Sequence, residues 1–211
     1  MRCHYPTRLP IEFNPWLSPD DPRFGDYNLN TTVEIDMGTH ELMIHNLPFY
    51  MWLRSLDLRM VNVRIFRSVP HEHYHLHVDL DPPENNNPAN QRFRLAGTDD
   101  YDYERLVKFN FIYNSHGSKM RWYQLKPGKS ASSYTNPSGV VSLSYDIYDC
   151  DEIYVTDCND HCLIHGGRIH TLKNTANKYE PRVCYSIMVQ NAQDDLTWDK
   201  AVNLLKPWLV E

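Results

Sequence analysis

The sequence predicts a mainly β chain, folded as a sandwich or barrel-like domain with a few flanking helices, and three observations carry that expectation. Fourteen tyrosines and five tryptophans stand against only eight glycines, a bias toward residues that suit pleated, half-buried surfaces. Short alternating stretches recur along the chain, separated by loops that many of the fourteen prolines punctuate. No repeat period links these stretches, which sets solenoids and propellers aside. At 211 residues the chain is long enough to bury a substantial core, and one domain with decorations is the simpler expectation.

Residues 1–30 carry Pro6, Pro10, Pro15, Pro19 and Pro22 without sustained periodicity, so they are expected to form an extended arm over the surface. Residues 32–37 alternate as a strand. Leu47, Pro48 and Phe49 lead into 50–60, whose apolar spacing suits a short helix. Together 1–60 form an N-terminal section packed on a core spanning 61–190. Within that core, 61–66 alternates again until Pro70 interrupts it.

Residues 81–97 are rich in proline and asparagine and predict a long exposed loop, a length that in compact domains is often functional. Residues 106–113 and 120–125 predict a hairpin across 114–119, and 130–139 a second polar loop. Further strands are expected at 140–148, 152–156, 162–165 and 183–189. Residues 191–211 close the chain, with an amphipathic helix over 198–209 that reads as a packing element or a homodimer contact. A double-stranded β-helix of the cupin, jelly-roll type fits this strand count, although periodicity does not separate it from other sandwiches.

The formal charge of -6 and pI near 6.0 argue against general nucleic-acid binding, which needs clustered lysine and arginine. No stretch approaches the roughly 20 apolar residues that cross a bilayer, and the first residues lack a signal-peptide core. Five cysteines without a framework spacing suit a reducing compartment. A cytoplasmic protein is the expectation.

The chemistry concentrates between His71 and Asp79, where every odd position carries a metal-ligating side chain: His71, His73, His75, His77 and Asp79. On a strand these share one face, with neighbours of the set about 6.6 Å apart. His71 and Asp79 would lie about 26 Å apart, so one ion cannot collect them all. The pair His77 and Asp79 supplies a histidine and a carboxylate, two of the three ligands in the facial arrangement that leaves positions open on non-haem iron. His170 is the best candidate for the third. Twelve residues later comes Arg182, whose guanidinium can grip the remote carboxylate of a dicarboxylic co-substrate. Ser186 shares its face if 182–189 is a strand.

His77-Val78-Asp79, residues 109–114, residues 120–123, residues 169–174 and residues 182–187 resemble, in order, the Fe(II)/2-oxoglutarate oxygenases found among phage and marine viral proteins, which are similar to the aspartyl/asparaginyl β-hydroxylase group. The resemblance implies a double-stranded β-helix, with His77, Asp79 and His170 as Fe(II) ligands and Arg182 as the 2-oxoglutarate anchor. It also places Asn110 and Tyr123 at positions that line the co-substrate pocket. Many members carry serine two residues after the arginine, where this chain has Cys184, with Ser186 following. A viral hydroxylase acting on a polar small molecule or peptide, reached over the loops at 81–97 and 126–139, is what the resemblance and the loop composition imply together.

Two rival functions stand beside it. One is a non-catalytic cupin-like viral binding or structural protein. The other is a zinc-dependent hydrolase using the same ligands around a bound hydroxide. The stretch from Cys158 to His165, with the thiols of Cys158 and Cys162 and a histidine at His161 or His165, is a separate candidate zinc site, although no second C-x-x-C half completes a tetrahedron.

Overall fold

A computed structural model describes residues 2–25, 33–68, 75–79, 92–95, 101–115, 117–135, 141–158, 161–175 and 181–211. Two six-stranded antiparallel sheets organise them. In the first, β1 (His4–Pro6), β10 (Cys162–His165), β5 (Val107–Tyr113), β12 (Arg182–Asn191), β3 (Leu58–Ser68) and β2 (Val33–Met37) lie in that order. In the second the order is β7 (Ser132–Thr135), β8 (Val141–Tyr145), β4 (Leu76–His77), β11 (His170–Lys173), β6 (Lys119–Leu125) and β9 (Cys150–Asp157). The chain passes between sheets at β3, β4, β5 and β6, and again at β9, β10, β11 and β12. Strands β10, β11 and β12 each slot between two earlier ones and β9 lines the edge beside β6, which is the winding of a double-stranded β-helix.

The first sheet is buried on both faces, and β5 shows why its sequence permits this. Val107, Phe109 and Phe111 point outward into a core with Phe49, Leu53 and Trp198. The alternate residue Ile112 points inward, where it meets Trp122 and Met120 of the second sheet and Cys184 of β12. The helices α1 (Thr39–His45), α2 (Leu47–Ser55) and α3 (Trp198–Leu205) cover the outward face. No helix among the described residues is long and apolar enough to cross a membrane.

Several elements differ from the sequence expectation. The helix expected at 50–60 begins at Leu47, because Pro48 is favourable in a first turn, and ends at Ser55, where Leu56 and the positive φ of Asp57 (55°) turn the chain into β3. The helix α1 was not expected. The terminal helix stops at Leu205, and Pro207 sits in a 3-10 turn over Lys206–Trp208 because it cannot donate to a continuing helix. Residues 106–113 and 120–125 are not a hairpin: β5 and β6 belong to different sheets, and the intervening residues carry the chain across. The polar loop at 130–139 contains β7, and β8 gives way to a 3-10 turn over Ile147–Asp149, capped by the Asp146 side chain. Most of the loop at 81–97, and His71 and His73, lie outside the described residues.

The N-terminal arm enters the core where a surface course was expected. Phe13 stacks on Phe111 with ring centroids 3.7 Å apart, and Tyr185 accepts the Leu17 N–H at 2.7 Å while donating to the Leu17 carbonyl at 3.3 Å. At the sheet edge, Thr7 bridges Leu209 and the Val210 N–H donates to the Pro6 carbonyl at 2.8 Å.

Candidate metal centre

His77 ends β4 and His170 begins β11, and antiparallel pairing sets the two directly opposite each other. Their rings lie 4.6 Å apart between centroids. Asp79 follows two residues beyond His77, where its N–H donates to the Gly166 carbonyl at 2.9 Å and the Gly166 N–H donates to the Leu106 carbonyl at 2.9 Å. The Asp79 carboxylate reaches both rings, with Oδ1 3.7 Å from His77 Nε2 and Oδ2 3.7 Å from His170 Nε2. These three residues are the one group among those described whose ligand atoms could hold a metal, all within 4.8 Å of one another. Cys158, Cys162 and His165 form no such group, since the cysteines are buried in apolar packing and His165 meets Glu104 at 3.1 Å.

The protonation pattern suits a cation. His77 Nδ1 lies 3.0 Å from the His75 carbonyl and His170 Nδ1 lies 2.7 Å from the Arg168 carbonyl. Each Nδ1 therefore carries a proton against a backbone acceptor, which leaves Nε2 as the atom of each ring that faces Asp79. Burial, with His170 beside it, pushes the His77 imidazole down to about 4, so it is neutral at physiological pH. Burial works to raise the Asp79 carboxyl, but Lys108, His170 and His77 outweigh it and hold the group well below the usual carboxylate range. Neighbouring ligands at about 2.1 Å around an octahedral ion lie about 3.0 Å apart, and here one ligand atom from each residue lies within 4.8 Å of the others, so the set has to draw in by less than about 2 Å. The donor set fits a divalent metal.

Two neighbours of the site were not anticipated from sequence. Lys108, with a side chain only 4% exposed, places Nζ 3.1 Å from Asp79 Oδ2. A lysine inside the apolar run 106–113 was the available signal, and simple alternation disguised it as the polar face of a half-exposed strand. Gly166 is the second: a Cβ there would sit 2.7 Å from Asp79 Oδ2, so no side chain fits without displacing the carboxylate. Beyond them, Glu104 accepts from Arg168 at 2.6 Å, and the Arg168 carbonyl in turn meets His170.

The anticipated co-substrate residues divide. Asn110, Ser186 and Arg182 share the inward face of the first sheet, with Asn110 directly opposite Ser186. Arg182 is buried near the far end of that face, 3.7 Å from Cys158 Sγ. Burial raises both nearby thiols, Cys184 to about 11, so they meet the guanidinium as neutral groups. Tyr123 is placed elsewhere: Trp122 takes the inward position on β6, so Tyr123 points to the outer face and packs with Leu76, Val78 and Ile169. Asn110 Oδ1 and Trp122 Nε1 are buried with no hydrogen-bond partner among the described residues. Such orphaned groups on an interior wall suit a polar ligand.

No protein-family profile and no curated protein sequence matches the chain. Among solved structures, it is similar to YcfD, a ribosomal oxygenase from Escherichia coli in complex with cobalt and 2-oxoglutarate, at 12% identity over 89% of this chain and 39% of that one, with a TM-score of 0.42. It is also similar to SnoN, a non-haem α-ketoglutarate-dependent epimerase of nogalamycin biosynthesis, at 12% identity over 79% of this chain and 65% of that one, with a TM-score of 0.41. A viral collagen prolyl hydroxylase from Paramecium bursaria Chlorella virus-1 aligns at 10% identity over 76% of this chain and 79% of that one, with a TM-score of 0.32. The chain thus spans about two fifths of the ribosomal oxygenase and under two thirds of the epimerase. Overlaps this slight do not define a family.

Proposed function

We propose that the protein is an Fe(II)- and 2-oxoglutarate-dependent oxygenase that hydroxylates a polar substrate. The observation that carries the reading is the cluster of His77, Asp79 and His170, two imidazoles and one carboxylate gathered at one point of a β-helix. Two nitrogens and one oxygen on one side of an ion leave the opposite positions for co-substrate and oxygen. When bound, Fe(II) and 2-oxoglutarate together supply the oxidation of a substrate C–H bond, with decarboxylation to succinate.

The chain's own residues supply binding and orientation. His77, Asp79 and His170 hold the metal. Arg182 grips the distal carboxylate of the diacid in a fork, and Ser186, Asn110 and the Trp122 N–H offer polar contacts along its length. Arg182 lies six residues along β12 from Met188, which is level with Lys108. That is about 20 Å of strand, a gap that two long basic side chains with a five-carbon diacid between them would fill. The apolar cluster around Ile112, Met120 and Cys184 keeps water from the interior.

The test is anaerobic addition of Fe(II) and 2-oxoglutarate, then oxygen, with succinate measured for the wild type, Asp79→Ala and Arg182→Lys. Succinate is expected from the wild type and none above background from D79A. R182K should bind Mn(II) normally while losing affinity for 2-oxoglutarate about tenfold or more, because a point charge replaces a bidentate fork. Wild-type protein that binds metal but shows no metal-dependent binding of 2-oxoglutarate would sink the reading.

A further inference from the structure

We infer that Lys108 sets the charge of the site: it occupies one oxygen of Asp79 and supplies the positive charge that draws an anionic co-substrate to the metal, at the expense of metal affinity. The inference rests on the metal reading above.

Lys108 stands in the middle of the inward face. It pairs across the sheet with Met188 on one side and Ile164 on the other, both of them apolar neighbours. A side chain 4% exposed in such a place is an expensive position for a cation, and its close partner is Asp79 Oδ2 at 3.1 Å. The same oxygen is hemmed in by Gly166, where a Cβ would meet it at 2.7 Å. Oδ1, on the His77 side, carries neither contact. Asp79 is thereby divided, one oxygen held by the protein and one left to a metal.

Charge accounting then gives the direction of each effect. Asp79 and Lys108 cancel, and an imidazole that ligates through Nε2 carries no charge, so a divalent ion would leave the centre with its full formal charge of about +2. An anion carrying two negative charges, with a carboxylate at each end, neutralises it. Without Lys108, Asp79 alone would halve that charge, hold the metal more tightly and attract the anion less. A side chain present only for packing would not move the two affinities in opposite directions.

The test is calorimetric titration of metal-free protein with Mn(II), then of the Mn(II)-loaded protein with 2-oxoglutarate, for the wild type, Lys108→Met and Lys108→Arg, alongside thermal melts. K108M should bind Mn(II) about tenfold more tightly and 2-oxoglutarate about tenfold more weakly, while K108R keeps both near wild type. If K108M does not fold, Lys108→Gln removes the same charge and keeps a polar tip. A fall in both affinities together, or no change in either, overturns the inference while leaving the metal reading intact. Wild-type protein that takes up no Mn(II) overturns both.

Discussion

Replacing Gly166 with alanine would place a methyl carbon 2.7 Å from Asp79 Oδ2 and 3.3 Å from Asp79 Cβ. Ordinary van der Waals contact begins at 3.4 Å, so the carboxylate oxygen must retreat by about 0.7 Å. The backbone cannot give way easily, because the Asp79 N–H is bonded to the Gly166 carbonyl itself, and Lys108 Cδ closes another side at 3.4 Å. The side chain must therefore rotate, carrying its free oxygen away from the two histidines. A displacement of that size at a ligand costs on the order of 10-fold to 100-fold in metal affinity, and the crowding costs about 1–3 kcal/mol in stability. Mn(II) titration and a melt of the metal-free protein measure the two effects separately. Gly38→Ala is the control, since its Cβ meets nothing within 4 Å and its φ of -64° is ordinary. If Gly166→Ala binds Mn(II) like the wild type, Asp79 does not need the position it occupies and the account of the site fails.

Two further outcomes follow from the same structure. His77 is held at about 4 against an ordinary value of 6.5, so the unfolded chain takes up a proton that the folded chain refuses. Metal-free protein should lose stability progressively as pH falls from about 6.5 to about 4 and no further below that on this account; His77→Gln should flatten the slope in denaturant melts, and an unchanged slope counts against the burial of this ring. Tyr185→Phe removes the hydroxyl that both accepts from and donates to Leu17, at 2.7 and 3.3 Å, and should cost about 1–3 kcal/mol with metal affinity unchanged. A loss below about 0.5 kcal/mol would mean that the hydroxyl contributes little and that Phe13 stacking and the pairing at the sheet edge hold the arm.

Alternation along a strand is visible in a sequence, and its partners are not. The faces of β5 and β12 could be written down from residue order, which is why Arg182 and Ser186 were expected side by side. The separation of β5 and β6 into different sheets could not, since a five-residue connection serves a hairpin or a crossing equally well. Strand β11, only four residues long, carried too little pattern to be seen at all, yet it delivers His170 opposite His77. His77 stood out among the alternating histidines through its spacing to Asp79, and the register with His170 gives that choice a spatial reason. Tyr123 was placed by resemblance at a pocket-lining position, but the inward face of β6 at that point belongs to its neighbour Trp122. Lys108 required the fold, because a lysine on a strand announces solvent until a second sheet is laid against it.

The slotting of β11 between β4 and β6, and of β12 between β5 and β3, has a consequence for how the molecule comes into being. During synthesis, His77 and Asp79 emerge long before the strands that flank them have their central partners, and the early sheets have gaps at their middles. Neither gap closes until the last quarter of the chain arrives. The cluster of His77, Asp79 and His170 is therefore incomplete until then, and assembly depends on pairings between residues more than a hundred positions apart, such as Arg182 with Ser68. Such wiring predicts slow, cooperative folding, with exposed strand edges in the interval that a chaperone would be needed to guard.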